Sequence, residues 1–360
     1  MNPVVTALDL PLGSAGGSIE LLHDLYGGAE PLISARVFML DNGSPPAPPF
    51  EALKVEGKCL TGPRFWTYVH ALSSAMANVL RPDDGAVTHL QHLTFGATPA
   101  LLRALPRRPS IALVHGTDLL CATSNATQRQ VLRQSAHWAT AIVVPTPAMA
   151  DGLRGMAPDL DVAKMEHIPW GVPDHLLQHP PRPCRSGDAP FRLLYAGRLT
   201  AEKGVAALAA ACADISDMTL SIAAPVHEYA RFAEQLRRTG CDHRYLGWLD
   251  RPQLWAAFSD HDALAVPSTT LEAFGLVAVE AQACGLPVLY QPVPGLTDVL
   301  SDTALQTDFT HPAALASTLK TLKRDRGTRA EPSTAGFANA RRFPISSTAQ
   351  ALSRLGDQIT

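Results

Sequence analysis

Phe191-Arg192-Leu193-Leu194-Tyr195-Ala196 runs directly into Gly197-Arg198-Leu199-Thr200-Ala201-Glu202-Lys203-Gly204 and then into Val205–Ala213. The first six residues carry the short apolar run of a buried strand, and the last nine read as a helix. A turn of this kind presents free backbone N–H groups and the positive end of a helix at the C-terminal edge of a sheet, where phosphate binds well. Arg198 adds a planar fork and Lys203 a compact point charge, a pair suited to a diphosphate. On local chemistry alone the stretch reads equally as a surface turn with two solvated cations.

The same alternation extends in both directions. Downstream, Thr219–Ala224, Ala263–Val266 and Pro287–Tyr290 read as strands, and Tyr229–Thr239 and Phe274–Ala283 as helices. Upstream, Val4–Leu10, Ile111–His115 and Ala141–Pro145 read as strands, and Ser18–Tyr26 and Asn125–Trp138 as helices. Between the two series, Pro169 to Pro190 is rich in Pro, His and Gly, and reads as a linker without packed structure. Strand–helix alternation predicts parallel sheets with crossover helices, so the fold class is α/β with two Rossmann-like halves. A ligand site is expected at a cleft between them.

With 360 residues, 46% hydrophobic and 18% charged, the chain is well supplied for two packed cores. A formal net charge of −3 gives no reason to expect a nucleic-acid partner. The local basic runs, Arg103 to Arg108 and Lys320 to Arg329, read first as solvated helix ends or loops, and otherwise as contacts to an anionic membrane or acceptor. Six single cysteines (Cys59, Cys121, Cys184, Cys212, Cys241, Cys284) have neither metal-ligand spacing nor a disulfide framework. Met1 to Leu12 lacks the regions of a secretory leader, and no apolar run reaches about 18 residues, so a cytoplasmic protein is expected.

A second stretch, Pro267-Ser268-Thr269-Thr270-Leu271-Glu272-Ala273-Phe274-Gly275, follows the strand Ala263–Val266 and runs on to Glu280-Ala281 and Gly285-Leu286-Pro287-Val288. Glu272 falls in a loop or first helical turn and Glu280 about two turns further. Two carboxylates so placed can address different hydroxyls of one extended ligand, and Gly275 allows a close backbone approach. Each acid alone reads as a helix-dipole partner or a solvated side chain.

The two stretches together resemble the donor site of retaining GT-B glycosyltransferases, in particular glycosyltransferase family 4. That family shows G-R-x-x-x-x-K-G and, some seventy residues on, P-S-x-x-E-x-F-G-x-x-x-x-E-A. The loop here carries one residue more before Glu272. The resemblance covers Ile168 to the C-terminus well and the N-terminal half more loosely.

By resemblance, the fold is GT-B, with two Rossmann-like domains facing each other across a cleft. Residues 1–170, joined by a C-terminal helix at about 344–360, bind the acceptor, and 171–343 bind the donor. The hinge is expected near Pro169–Pro173. Arg198 and Lys203 hold the donor diphosphate and stabilise its departure in place of a metal, so no cofactor or metal is expected. Glu280 binds the ribose and Glu272 the sugar, while Phe274, Gly275 and Leu276 offer backbone N–H groups. Leu246, within Tyr245–Leu249, borders the base. Trp248 in that segment reads as a buried packing residue before a stacking one. The loop Ala223-Ala224-Pro225-Val226-His227 departs from the glycine-containing turn usual there, which loosens the reading of the base.

In the N-terminal half, Gly16 and Gly17 match a double glycine that touches donor phosphate and acceptor in the family. His115, at a strand end, matches a histidine near the reacting sugar carbon; a histidine satisfied by loop hydrogen bonds is the plainer reading. Ser18, Asp118 and His92 are candidate acceptor contacts; Asp118 reads as an acceptor-binding or orienting acid, and His89 and His92 as structural or acceptor-lining.

The resulting expectation is a retaining hexosyl or N-acetylhexosaminyl transferase. Its donor is a nucleotide diphosphate sugar, UDP-linked before GDP-linked. Its acceptor is a small hydroxyl compound such as an aminocyclitol or another secondary-metabolite core, as in antibiotic biosynthesis. The catalytic set is His115, Glu272, Arg198 and Lys203. The rivals are a lipid-linked or polysaccharide acceptor, a sugar-nucleotide epimerase or glycosyl phosphorylase, and a silent sugar-nucleotide-binding scaffold. A monomer or homodimer is expected.

Overall fold

The structure, a computed structural model, describes residues 3–81, 84–181, 190–213, 215–324 and 327–360. Cys184 and part of the basic run Lys320–Arg329 lie outside the described residues. The chain divides into two compact units, Met1–Trp170 with Ile345–Thr360, and Gly171–Pro344.

In the first unit the described strands are β1 (Val4–Pro11), β2 (Ala35–Leu40), β3 (Phe50–Leu53), β4 (Thr88–Gln91), β5 (Ser110–Leu113), β6 (Ala141–Val144) and β7 (Met165–His167). They lie side by side in the order β3-β2-β1-β4-β5-β6-β7, every pair parallel. The second unit contains β8 (Phe191–Ala196), β9 (Met218–Ala223), β10 (His243–Gly247), β11 (Ala263–Val266), β12 (Val288–Tyr290) and β13 (Leu305–Gln306). Their order is β10-β9-β8-β11-β12-β13, again all parallel. These are two doubly wound α/β sheets, as the alternation predicted. Strand order reverses between β1 and β4 in one and between β8 and β11 in the other, and ligands of such sheets bind beyond the strand C-termini at that reversal.

Burial explains the continuous apolar runs. β5, β6, β11 and β12 are buried at every position, as strands covered by helices on both faces must be. In the second unit, Leu193, Tyr195, Leu208, Leu220, Ile222, Leu289 and Leu319 gather into one core. Helix ends follow local chemistry: Asp250 and Gln253 form a capping box at the start of Arg251–Ser259, and Gly240 ends Val226–Thr239 in the left-handed conformation.

Several elements differ from expectation. The segment from Pro169, read as an unpacked linker, buries Trp170, Val172 and Leu176, and contains a short helix at Asp174–Gln178. Val172 N–H donates to the Phe343 carbonyl (2.9 Å). The apolar residues are spaced two and four apart among Pro, His and Gly, too sparsely to show as a periodic run. The helix expected from Phe274 starts at Leu276, because Gly275 before it adopts φ 78°. β5 stops at Leu113, so His115 sits in the loop before the helix Thr117–Ser124. The helix Ile345–Ile359 packs within the first unit, and Thr348 Oγ1 donates to the Pro169 carbonyl (2.8 Å).

Of the basic runs, Arg103 lies 5.1 Å from the Trp66 ring centroid and Arg329 pairs with Asp262 at 2.7 Å. Both are internal partners within their units. The five described cysteines are free thiols.

Candidate functional site

In the second unit, the loops after β8 and β11 meet at the strand-order reversal. Gly204 adopts φ +66°, and a Cβ there would lie 2.1 Å from the Pro267 carbonyl oxygen, so only glycine lets the two loops touch. Thr269 N–H donates to the Glu202 carbonyl (2.8 Å). Lys203 Nζ forms an ion pair with Glu272 Oε2, and Ser268 Oγ donates to the same oxygen (3.0 Å). Glu272 Oε1 has no protein partner among the described residues. The backbone of Glu272 is held from behind: its N–H donates to Pro294 (3.2 Å), and a Cβ on Gly295 would lie 1.7 Å from its carbonyl oxygen. The two sequence motifs are therefore one physical structure.

Arg198 is anchored differently. Its Nε donates to Glu228 Oε1 (2.9 Å), while Glu228 Oε2 accepts the Leu199 N–H (2.6 Å). Glu228 is buried and Arg198 half-exposed. The guanidinium is thus steered through Nε, and its terminal nitrogens have no partner among the described residues. That is the fork a phosphate uses. Glu228 was not foreseen, since an acid in a first helical turn reads as an ordinary dipole partner.

Glu280 goes elsewhere. It is 3% exposed, one turn into the helix Leu276–Ala283, with Oε1 on Arg251 (2.8 Å) and Oε2 accepting from Trp255 Nε1 (3.2 Å). Nearby burial, with the Glu280 charge adding, pushes the Cys284 thiol up to about 12. Arg251 and Trp255 carried no signal that linked them to Glu280.

Phe274 is buried edge-on against Phe343 (5.2 Å), so its contribution to a ligand can come from its backbone alone. Leu246 lies in β10 beside Tyr245, whose ring stacks on Tyr229 at 3.8 Å. Trp248 is 38% exposed, which corrects the expectation of a buried packing residue: it follows β10, the edge strand of its sheet.

In the first unit, Gly16 and Gly17 open the helix Gly17–Tyr26 after β1, with Ser18 in its first turn. His92 follows β4 and His115 follows β5, so all of these lie at the C-terminal edge of one sheet. The His92 and His115 rings are 4.5 Å apart, and His115 stacks on Trp170 at 5.6 Å. His115 Nε2 bonds Gln91 Oε1 (3.0 Å). Gln91 Nε2 donates to Thr6 Oγ1 (3.1 Å) and Tyr26 Oη (3.3 Å), and Tyr26 Oη bonds His89 Nδ1 (2.7 Å). Burial pulls His115 down to about 3 and His89 to about 4, and lowers His92 as well, with help from His115 and Lys58. All three rings are neutral at pH 7.

Of the two readings of Asp118, acceptor-binding or orienting acid, its hydrogen bonds are those of an orienting acid. Its side chain is fully buried, and it accepts N–H groups of Leu93 (3.1 Å) and Leu119 (3.2 Å). It fixes the loop that carries His92 and touches no surface; burial pushes its carboxyl up to about 6. Gln91, Tyr26 and Thr6 were missed, although a polar Gln91 inside the buried strand β4 was a readable signal.

Comparison with known proteins agrees with this geometry. Residues 184–338 match the family of Glycosyl transferases group 1. The D-inositol 3-phosphate glycosyltransferase of Corynebacterium efficiens is 41% identical over 126 residues, covering 34% of this chain and 29% of that protein. An uncharacterised 41.2 kDa protein in the cps region of Klebsiella pneumoniae is 38% identical over 115 residues, or 31% of this chain and 30% of that one. The chain thus spans about three tenths of the length of these curated relatives. Among solved structures, sucrose-phosphate synthase from Thermosynechococcus elongatus matches with TM-score 0.82 at 20% identity over 99% of both chains. Anabaena HepE, solved in complex with UDP-glucose, matches with TM-score 0.76 at 16% identity over 99% of this chain and 100% of that one. The fold is that of the GT-B glycosyltransferases, and residues 184–338 match the model of the Glycosyl transferases group 1 family.

Proposed function

We propose that the protein is a retaining glycosyltransferase that moves a hexosyl or N-acetylhexosaminyl group from a nucleotide diphosphate sugar, UDP-linked in preference, to a hydroxyl of a small polar acceptor. The observation that carries this reading is the Lys203–Glu272 ion pair, which joins the cationic turn after β8 to the acidic loop after β11 at a strand-order reversal. The similarity to a fold solved with UDP-glucose and to relatives named for a cyclitol phosphate supports both substrate classes.

Each residue then has a role. Arg198 and Lys203 bind the diphosphate and stabilise its charge as the glycosidic bond breaks, so no metal is needed. Glu272 accepts a sugar hydroxyl through Oε1, and Glu280 binds the ribose. Gly275 and Leu276 present the backbone at a helix N-terminus, and Leu246 borders the base. The neutral His115 and His92 belong to the acceptor side, together with Ser18 and the Gly16–Gly17 turn. The acceptor oxygen attacks the anomeric carbon on the face that the diphosphate leaves, and the departing phosphate oxygen takes its proton.

The test is incubation of UDP-glucose and UDP-N-acetylglucosamine with cyclitol and aminocyclitol acceptors in the presence of EDTA, with the product anomer assigned by NMR. An α-linked product supports the proposal. A β-linked product, or turnover that requires a divalent metal, overturns the retaining, metal-independent reading.

A further inference from the structure

The polar chain beneath His115 has only one consistent set of protons. Thr6 Oγ1 lies 2.7 Å from the His89 carbonyl oxygen, which can only accept, so Thr6 spends its single proton there. Toward Gln91, Thr6 can therefore only accept, and the amide atom facing it at 3.1 Å must be Nε2. The same amide nitrogen reaches Tyr26 Oη (3.3 Å), which is hydrogen-bonded to His89 Nδ1 (2.7 Å). The Gln91 amide is thereby oriented, and Oε1 is the atom left for His115. An amide oxygen accepts, so His115 Nε2, 3.0 Å away, carries the ring hydrogen.

The ring has no freedom to choose otherwise. Trp170 stacks on it with an interplanar angle of 25°, and His92 lies 4.5 Å from it. His115 is only partly buried, and its Nδ1 has no partner among the described residues. Gln91 is 3% exposed, and Thr6 and Tyr26 are fully buried, so solvent does not compete for these bonds. Thr6 and Tyr26 hold the amide nitrogen of Gln91, and Gln91 in turn reaches one nitrogen of His115.

We infer that Gln91 is a positioning residue that holds His115 in the Nε2–H tautomer and so makes Nδ1 a fixed hydrogen-bond acceptor for a substrate hydroxyl. Tyr26 and Thr6 act one step further back, by fixing which way the Gln91 amide faces. The inference deepens the reading given under Proposed function and rests on it for the identity of the hydroxyl. The tautomer itself stands on geometry alone. It also assigns chemistry: a neutral ring with its lone pair outward accepts a hydrogen bond and does not protonate a leaving group.

The experiment is two-dimensional ¹⁵N–¹H NMR of the His115 ring in the full chain, in the wild type and in Gln91→Met and Gln91→Glu. The other titratable or charged groups at this sheet edge are His89, His92, Tyr26, Asp118 and the Lys58–Asp9 pair. The wild type is expected to show a protonated Nε2 and a bare Nδ1 at pH 7. Gln91→Met, of similar shape without an acceptor, loses that preference. Gln91→Glu keeps Nε2 protonated and raises the pH at which Nδ1 takes a proton. An Nδ1–H tautomer in the wild type, or an unchanged tautomer in Gln91→Met, overturns the inference. Should Gln91→Met not fold, the wild-type and Gln91→Glu spectra decide alone.

Activity separates the two claims. Sugar transfer falls about tenfold or more in Gln91→Met if the tautomer positions a substrate hydroxyl, as loss of one hydrogen bond of about 1.4 kcal/mol implies. A changed tautomer with an unchanged transfer rate overturns the positioning role. Wild-type protein that transfers no sugar contradicts the proposed function, while the NMR result still stands or falls by itself.

Discussion

Lys203 and Glu272, 69 residues apart in sequence, form an ion pair across the reversal of strand order between β8 and β11. Neither is anchored by the other alone: Gly204 seats one loop against Pro267, and Gly295 seats the other behind Glu272. A partly exposed pair of this kind contributes little stability by itself. Under the proposed function it places a cation and a carboxylate within reach of one ligand.

Gly204→Ala is expected to cost about 2 kcal/mol or more, since it combines a left-handed backbone with a collision against the Pro267 carbonyl. Urea unfolding measures the loss. UDP binding is expected to weaken beyond what the stability change explains, because Lys203 shifts with the turn.

Glu228→Ala removes the steering partner of Arg198 and leaves the Leu199 N–H without its acceptor. The expected destabilisation is about 1–2 kcal/mol. UDP affinity is expected to fall with it, whereas removal of a solvated carboxylate beside a phosphate site would raise affinity. Calorimetry on the folded variant distinguishes the two signs.

Arg251→Met leaves the Glu280 carboxylate buried without its ion-pair partner, at an expected cost of about 3 kcal/mol. The double variant Arg251→Met/Glu280→Met is expected to recover most of that stability, because both charges are then gone. A double variant no more stable than the single one contradicts this account of the pair.

The pH dependence of the first unit has opposing contributions. His115 and His89 have folded values of about 3 and about 4, against 6.5 when free. Their neutral state in the fold contributes stability that is complete above pH 6.5 and is lost as pH falls toward those values. Asp118, raised from 3.8 to about 6, works the other way: its contribution is complete below 3.8 and lost as pH rises through about 6. The histidines, joined by His92, outweigh one aspartate, so stability is expected to fall on acidification from pH 7 to pH 4. In Asp118→Asn the opposing contribution is absent and the acid loss steepens. A flatter profile in that variant contradicts the assignment.

The sequence was most readable where burial is complete. Ala263–Val266 is a strand at the residues its apolar run marked, because a strand covered on both faces has no polar interruption. Where burial is partial the pattern fades: β10 has no fully buried position, and Trp248 beyond it was misread as packed. Arg198, Lys203 and Glu272 stood out through the resemblance of their two motifs to a known family, and the structure brings the two turns that carry them into contact. Their supporting groups did not stand out. Glu228 lies 30 residues from Arg198, and Trp255 lies 25 from Glu280. Nothing local marks either pair; only the order of strands brings them together. Asp118 was legible as an acid at a strand-to-helix loop, but the Leu93 N–H that it accepts lies 25 residues away and carries no local mark.

The central claim is that the turn after β8 and the loop after β11 form a nucleotide diphosphate sugar site. Calorimetric titration of UDP, GDP and dTDP, with EDTA present, into the wild type and Arg198→Ala/Lys203→Ala tests it most directly. The account predicts one preferred diphosphate, UDP, bound by the wild type without metal. It also predicts an affinity about a hundredfold or more lower in the double variant, as the loss of two charged hydrogen bonds of about 1.5 kcal/mol each implies. Wild-type protein that binds none of the three, or a double variant that binds as tightly, would contradict it.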